Sequence, residues 1–176
     1  MLYQASRIWA RIEIVCAAGL AASVTGLILF NVVTRAAGNA IYWVDEAAIY
    51  AMVWMTFLAA SAALHYRSSV AVTVVADLVP PGLRRIMDRA VDLATFVFAC
   101  LMIWVCLRWF MPLELAGAGW DVKTFQGATF NFIYAEPTNT LGIRKVWVWL
   151  VVVLFTFGAF LHSAANLLSR DRSMPA

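Results

Sequence analysis

Four stretches of this chain lack a charged side chain over lengths that a soluble core rarely uses. Ile14 to Thr34 has 21 residues, Ala47 to Leu64 has 18, Leu93 to Leu107 has 15 and Val146 to Leu161 has 16. With a neutral His162, the last run extends through Ser169 to 24 residues. A hydrocarbon layer of about 30 Å asks for roughly 20 helical residues. In lipid, every backbone N–H and C=O must be paired within the segment, so such runs are helices. The third run reaches span length when Ala90, Val91 and Trp109 to Leu113 join it. Arg108 then extends toward the headgroups along its apolar stem. The expected fold class is an all-α integral membrane protein with four transmembrane helices.

Composition agrees with that class. The chain is 64% hydrophobic and 13% charged, with a mean hydropathy of +0.81. A soluble domain carries about twice that charge. The net charge of +3 is scattered, which excludes the basic stripe of a nucleic-acid binder. Cys16, Cys100 and Cys106 all lie in apolar runs without a C-x-x-C, so no disulfide framework is expected. The first run is too long for a signal-peptide core and reads as a retained anchor. Eight of the 13 Lys and Arg fall in the two tails and the second connection, and five on the opposite side. This bias places both termini in the cytoplasm. The spans then fall at about 12–35, 46–65, 86–112 and 145–169 of a single membrane domain, residues 1–176, with a periplasmic connection at about 113–144.

Two connections carry further signals. Residues 68–79, SSVAVTVVADLV, are apolar but too short to span, and are expected to lie in the bilayer interface between the second and third spans. Pro80-Pro81 follows and starts the next helix. The connection from Arg108 to Lys145 holds two prolines and four glycines, so it is not one helix, and Phe125, Phe130, Phe132 and Tyr134 within it need cover.

The interior of the spans looks electrically silent. No Asp, Glu, Lys or Arg lies deep in any run, whereas a transport path or proton relay usually shows one. Small residues repeat at helical spacing instead, as in Ala18, Ala22 and Gly26, or Gly158 with His162. Such a bundle is built to hold rather than to move. No catalytic, metal-binding or cofactor-binding residue is expected, and no enzyme motif occurs. The alternative is a haem b-binding membrane anchor of a respiratory oxidoreductase, with His65 and His162 as axial ligands. The one conspicuous polar feature is Asp45-Glu46 at the mouth of the second span. Acids there are stabilised by the helix N-terminus. They can form a cap with an exposed ion pair to Arg35, or a partner contact.

Trp43-x-Asp45-Glu46, followed by Trp54, Phe57-Leu58-Ala59, Arg67, an apolar stretch and Pro80, resembles the small membrane subunit of tripartite ATP-independent periplasmic (TRAP) transporters, the DctQ-like family. Asn31 to Arg35, NVVTR, resembles the end of that family's first span, and Thr140 to Trp149, TLGIRKVWVW, the lead-in to its last. The resemblance implies a non-catalytic subunit in the bacterial inner membrane. It also implies two partners: a large TRAP membrane subunit, whose scaffold this chain would brace, and a periplasmic substrate-binding protein. The expected work of the complex is Na⁺-coupled uptake of organic acids. Arg35, Trp43, Asp45, Glu46, Trp54, Phe57 and Arg67 are the residues expected to serve partner binding or structure.

Overall fold

The structure is a computed structural model and describes residues 1–66 and 80–169. Its elements, in order, are α1 (Leu2–Ala36), α2 (Tyr42–Tyr66), α3 (Pro81–Phe110), α4 (Pro112–Gly117), α5 (Val122–Thr129) and α6 (Val146–Leu168). Among the described residues there is no strand, only an isolated antiparallel bridge between Pro137 and Arg144. Four helical stretches are long and apolar enough to cross a bilayer: α1, α2, Gly82–Gly117 and α6. The all-α, four-span class is therefore what the chain adopts. The expected interfacial segment 68–79, and Arg67 before it, lie outside the described residues.

Helix α1 is longer than its charge-free run. Its 35 residues extend about 52 Å at 1.5 Å per residue, well beyond a hydrocarbon layer of about 30 Å. Its buried residues are Ser6, Ala10, Glu13 and Ala17, spaced alternately by four and three, so one narrow stripe meets the rest of the bundle. Small side chains on most of that stripe allow close approach. Ala18, Ala22 and Gly26 are exposed on the outward side, and a Cβ added at Gly26 would meet nothing within 4 Å among the described residues.

Helix α6 is the centre of the bundle and touches α1, α2 and α3. Twelve of its residues are buried, from Val146 to Asn166. The main apolar cluster joins Ala17, Leu58, Cys106, Val151 and Val152, one or two from each spanning helix. A second joins Ala99, Phe155 and Ala159, with Phe57 edge-on to Phe155 at 5.4 Å. All three cysteines are free, and Cys106 Sγ lies 3.3 Å from Thr156 Oγ1.

Proline sets the helix ends around the long connection. Pro80, extended at φ −57° and ψ 150°, caps α3, and Pro81 takes its first position. Pro112 has no N–H to continue the ladder, and Met111 before it turns left-handed at φ 45°, ending α3. Asp121 caps α5 by accepting from the N–H groups of Lys123 and Thr124. The Thr124 hydroxyl, followed by those two backbone N–H groups, holds the Asp121 carboxyl below the usual carboxylate range. Phe125 is fully buried against Tyr134, whose hydroxyl donates to Phe110 O at 2.6 Å. Phe130 and Phe132 remain exposed, so only half of the expected aromatic cover exists within the chain.

Candidate functional site

The two acids at the mouth of α2 point to different neighbours. Asp45 turns to the end of α1, where it pairs with Arg35 Nη2 at 2.5 Å and accepts from Asn31 Nδ2. Arg35 also donates to Asn31 Oδ1 at 3.1 Å. The connection between α1 and α2 is short, with Gly38 supplying its left-handed turn at φ 79°. Asn31 and Arg35, one turn apart, therefore meet Asp45 directly. The ion pair is about half exposed on both sides, which limits its value to under about 1 kcal/mol. Asp45→Asn should leave the melting temperature of the purified chain nearly unchanged in high salt and lower it only slightly in low salt. A large loss at high salt would contradict an exposed, screened pair.

Glu46 does something different. It is buried, and its carboxylate accepts five hydrogen bonds. Oε1 receives the Tyr50 hydroxyl and the Asn139 N–H, each at 2.8 Å. Oε2 receives the Thr140 N–H and hydroxyl, each at 2.6 Å, and the Leu141 N–H at 3.0 Å. Three consecutive backbone N–H groups thus form a nest around one side chain. The turn that shapes the nest is closed below it. Thr138 N–H donates to Ile143 O at 2.8 Å, Lys145 N–H to Glu136 O at 2.8 Å, and Gly142 takes φ 70°. Glu46 accordingly fastens the lead-in of α6 onto the start of α2, across 93 residues of sequence.

The remaining expected site residues divide by exposure. Trp54 donates from Nε1 to Val148 O on α6 at 2.9 Å, and Phe57 packs on Phe155. Both bind α2 to α6 inside the chain. Trp43 is half exposed, two residues before Asp45 in the first turn of α2. Arg67 lies outside the described residues. The structure thus brings Arg35, Trp43, Asp45 and Glu46 to one end of the bundle and sets Trp54 and Phe57 along its interior.

The opposite end holds a group that the expected site does not include, and it corrects the reading of a silent interior. Glu13, one residue before the first charge-free run, is 1% exposed. Its Oε2 lies 2.9 Å from His162 Nε2. His162 Nδ1 lies 2.7 Å from Ser6 Oγ, and that same oxygen lies 2.7 Å from His65 Nδ1. Charge-free runs locate spans but miss acids on the buried stripe just outside them. The available signal was the spacing Ser6, Ala10, Glu13, Ala17, which puts Glu13 on the small-residue face. The haem reading gains no support from this geometry. The Ser6 hydroxyl stands between the two Nδ1 atoms and Glu13 takes the other nitrogen of His162, so both nitrogens of His162 are engaged within the protein.

The segments that carried the resemblance meet at one end of the bundle: NVVTR and the acid pair through Asp45, and the acid pair and TLGIRKVWVW through Glu46. A family model described as "Tripartite ATP-independent periplasmic transporters, DctQ component" matches residues 24–173 of the 176. The chain belongs to the DctQ family. It is the small membrane component of a TRAP transporter and a multi-pass membrane protein. DctQ subunits are part of tripartite systems that include a large membrane subunit and a periplasmic binding protein. Comparison with curated proteins and with solved structures returned no match. The family match covers the whole Asp45–Glu46 end of this DctQ chain but starts after Ser6 and Glu13.

Proposed function

We propose that this DctQ subunit braces the static scaffold of its large membrane subunit in the bacterial inner membrane, both termini cytoplasmic, and performs no chemistry of its own. One observation carries the reading. The interior acid Glu13 and the two histidines are linked to one another through Ser6 within the chain, while the outer faces of α1 and α3 are broadly apolar. On α1, Ile28, Leu29, Val32 and Val33 are exposed, and on α3, Leu101, Trp104, Val105 and Leu107. Such faces suit packing against lipid or another membrane protein rather than lining a solute path. Na⁺ coupling and an organic-acid solute rest on the family alone. Trp43, Asp45 and Arg35 lie at the surface of the loop end and are the residues proposed to contact the large subunit or the periplasmic binding protein. Glu46, Trp54 and Phe57 hold that surface in shape.

The test is co-expression with a large TRAP membrane subunit, purification in mild detergent and uptake assays in proteoliposomes. The complex should copurify and transport, and this chain alone should not. A variant with Trp43, Asp45 and Glu46 all changed to alanine should insert normally but lose assembly or uptake. Uptake by the chain alone, or a triple variant that assembles and transports like the parent, would overturn the proposal.

A further inference from the structure

Four side chains from three helices form one unbroken hydrogen-bonded chain at the end of the bundle that carries the N-terminus: His65 on α2, Ser6 on α1, His162 on α6 and Glu13 on α1. They are 6%, 0%, 0% and 1% exposed. The links measure 2.7, 2.7 and 2.9 Å. Ser6 is the informative member. A hydroxyl has one proton to donate and two lone pairs with which to accept. It faces an imidazole Nδ1 on each side, so it donates to one and accepts from the other.

Two proton arrangements satisfy every link with the same heavy-atom positions. In the first, His65 Nδ1–H donates to Ser6, Ser6 donates to His162 Nδ1, and His162 Nε2–H donates to the Glu13 carboxylate. In the second, His162 carries protons on both nitrogens, Ser6 donates in the opposite direction to His65 Nδ1, and His65 holds its proton on Nε2. The two differ by one proton. We propose that this chain is a proton-binding site, in which a proton taken up at His65 is stored as a His162 imidazolium against Glu13. The step balances. A water-borne proton forms an N–H bond at His65 Nε2, the Nδ1 proton of His65 passes to the Ser6 oxygen, and the original Ser6 proton passes to His162 Nδ1. The net charge of the cluster rises from −1 to zero.

Burial supports uptake. Without the extra proton, the interior holds a lone carboxylate, and with it, a compact ion pair of no net charge. Among the described residues, the charged and aromatic groups at this end of the bundle come from three helices. From α1, Arg7 acts on His65 by its charge, and the Tyr3 ring lies 5.3 Å away. From α2, the Tyr66 ring lies 5.0 Å from His65. From α3, Arg89 donates to Leu167 O beyond His162, and the buried Asp92 follows one turn later. Ser6 and Glu13 fall before the part of the chain that matches the family, whereas His65 and His162 lie within it, so the family match covers only half of the site.

The experiment uses the full chain in lipid nanodiscs with ¹⁵N-labelled histidine. The sequence has only two histidines, so each ring can be followed from about pH 5 to 9, the range in which imidazoles change charge. As pH falls, His162 Nδ1 should move upfield on protonation and His65 Nδ1 downfield as it loses its proton, with a common midpoint. In Ser6→Ala the common midpoint should split. A His162 that keeps one protonation state throughout, or a His65 tautomer that ignores His162 or follows it equally in Ser6→Ala, overturns the site. The parent titration decides by itself if the variant folds poorly. The readout is the ring nitrogens rather than uptake, so failure here leaves the proposed bracing role untouched.

Discussion

Gly158→Ala should open the bundle where α1, α2 and α6 meet, while the same change at Gly26 should do no harm. A methyl group at position 158 would sit 2.2 Å from Ser61 Oγ, 2.4 Å from Glu13 Oε1 and 3.0 Å from Trp9 Nε1. Those three atoms are buried and have no hydrogen-bond partner among the described residues, so each rests directly against the bare glycine. None can easily retreat. Glu13 is tethered through its other oxygen to His162, the Trp9 ring packs edge-on to Phe157 at 5.3 Å, and Ser61 is fully buried. Forcing an extra carbon into a filled core costs about 1–3 kcal/mol. For a chain of this length, that is a fall in melting temperature of about 2–4 °C per kcal/mol. Gly26 lies on the outward face of α1 with nothing within 4 Å of an added Cβ. Alanine there should stabilise the helix by roughly 0.5–1 kcal/mol. Thermal melts of the two purified variants in one detergent give the comparison. Equal effects would mean that Gly158 is not a packing contact at all.

The contrast between these two glycines also shows how far the sequence could be read. Span number and fold class follow from the charge-free runs, because lipid forces such runs into helices whatever they pack against. The pairing of Asp45 with Arg35 was legible too, since the α1–α2 connection is short and opposite charges flank it. Glu13 was not, because its burial is decided by His162, 149 positions away, and by a glycine on that same distant helix. Local charge patterning carries no information about such a partner. The small residues were visible as repeats, but repeats alone do not say which face is used. Gly158 is clasped inside the bundle, whereas Ala18, Ala22 and Gly26 look outward. Glu46 was singled out for its position, yet its real partners are backbone N–H groups, which leave almost no trace in side-chain identity.

Those backbone partners make Glu46→Gln the most informative single change at the loop end. The glutamine has the same shape, so packing is preserved, but it has one acceptor oxygen where the native side chain has two. If that oxygen takes the place of Oε2, the Thr140 and Leu141 donors keep a partner. The amide NH₂ then faces the Asn139 N–H, donor against donor, and the Tyr50 hydroxyl has to turn from donor to acceptor. The reverse orientation saves those two and sets the NH₂ against the Thr140 and Leu141 N–H groups. Neither satisfies the nest, and bonds to a charged acceptor are the stronger kind. Amide hydrogen exchange at Asn139, Thr140 and Leu141 should therefore accelerate roughly tenfold or more. Exchange within the body of α6 should change little, because Val151, Phe155 and Ala159 are held by apolar packing that does not involve the turn. Glu46→Asp keeps both oxygens but withdraws them by one methylene, and its exchange rates should fall between those of the parent and the glutamine variant. Unchanged protection at the three amides in Glu46→Gln would show that the turn stands without its carboxylate. The link between the mouth of α2 and the lead-in to α6 would then be a contact rather than a clamp. With the clamp intact, the start of α2 and the 139–141 turn are held together at the loop end, which is what the proposed bracing role asks of that surface.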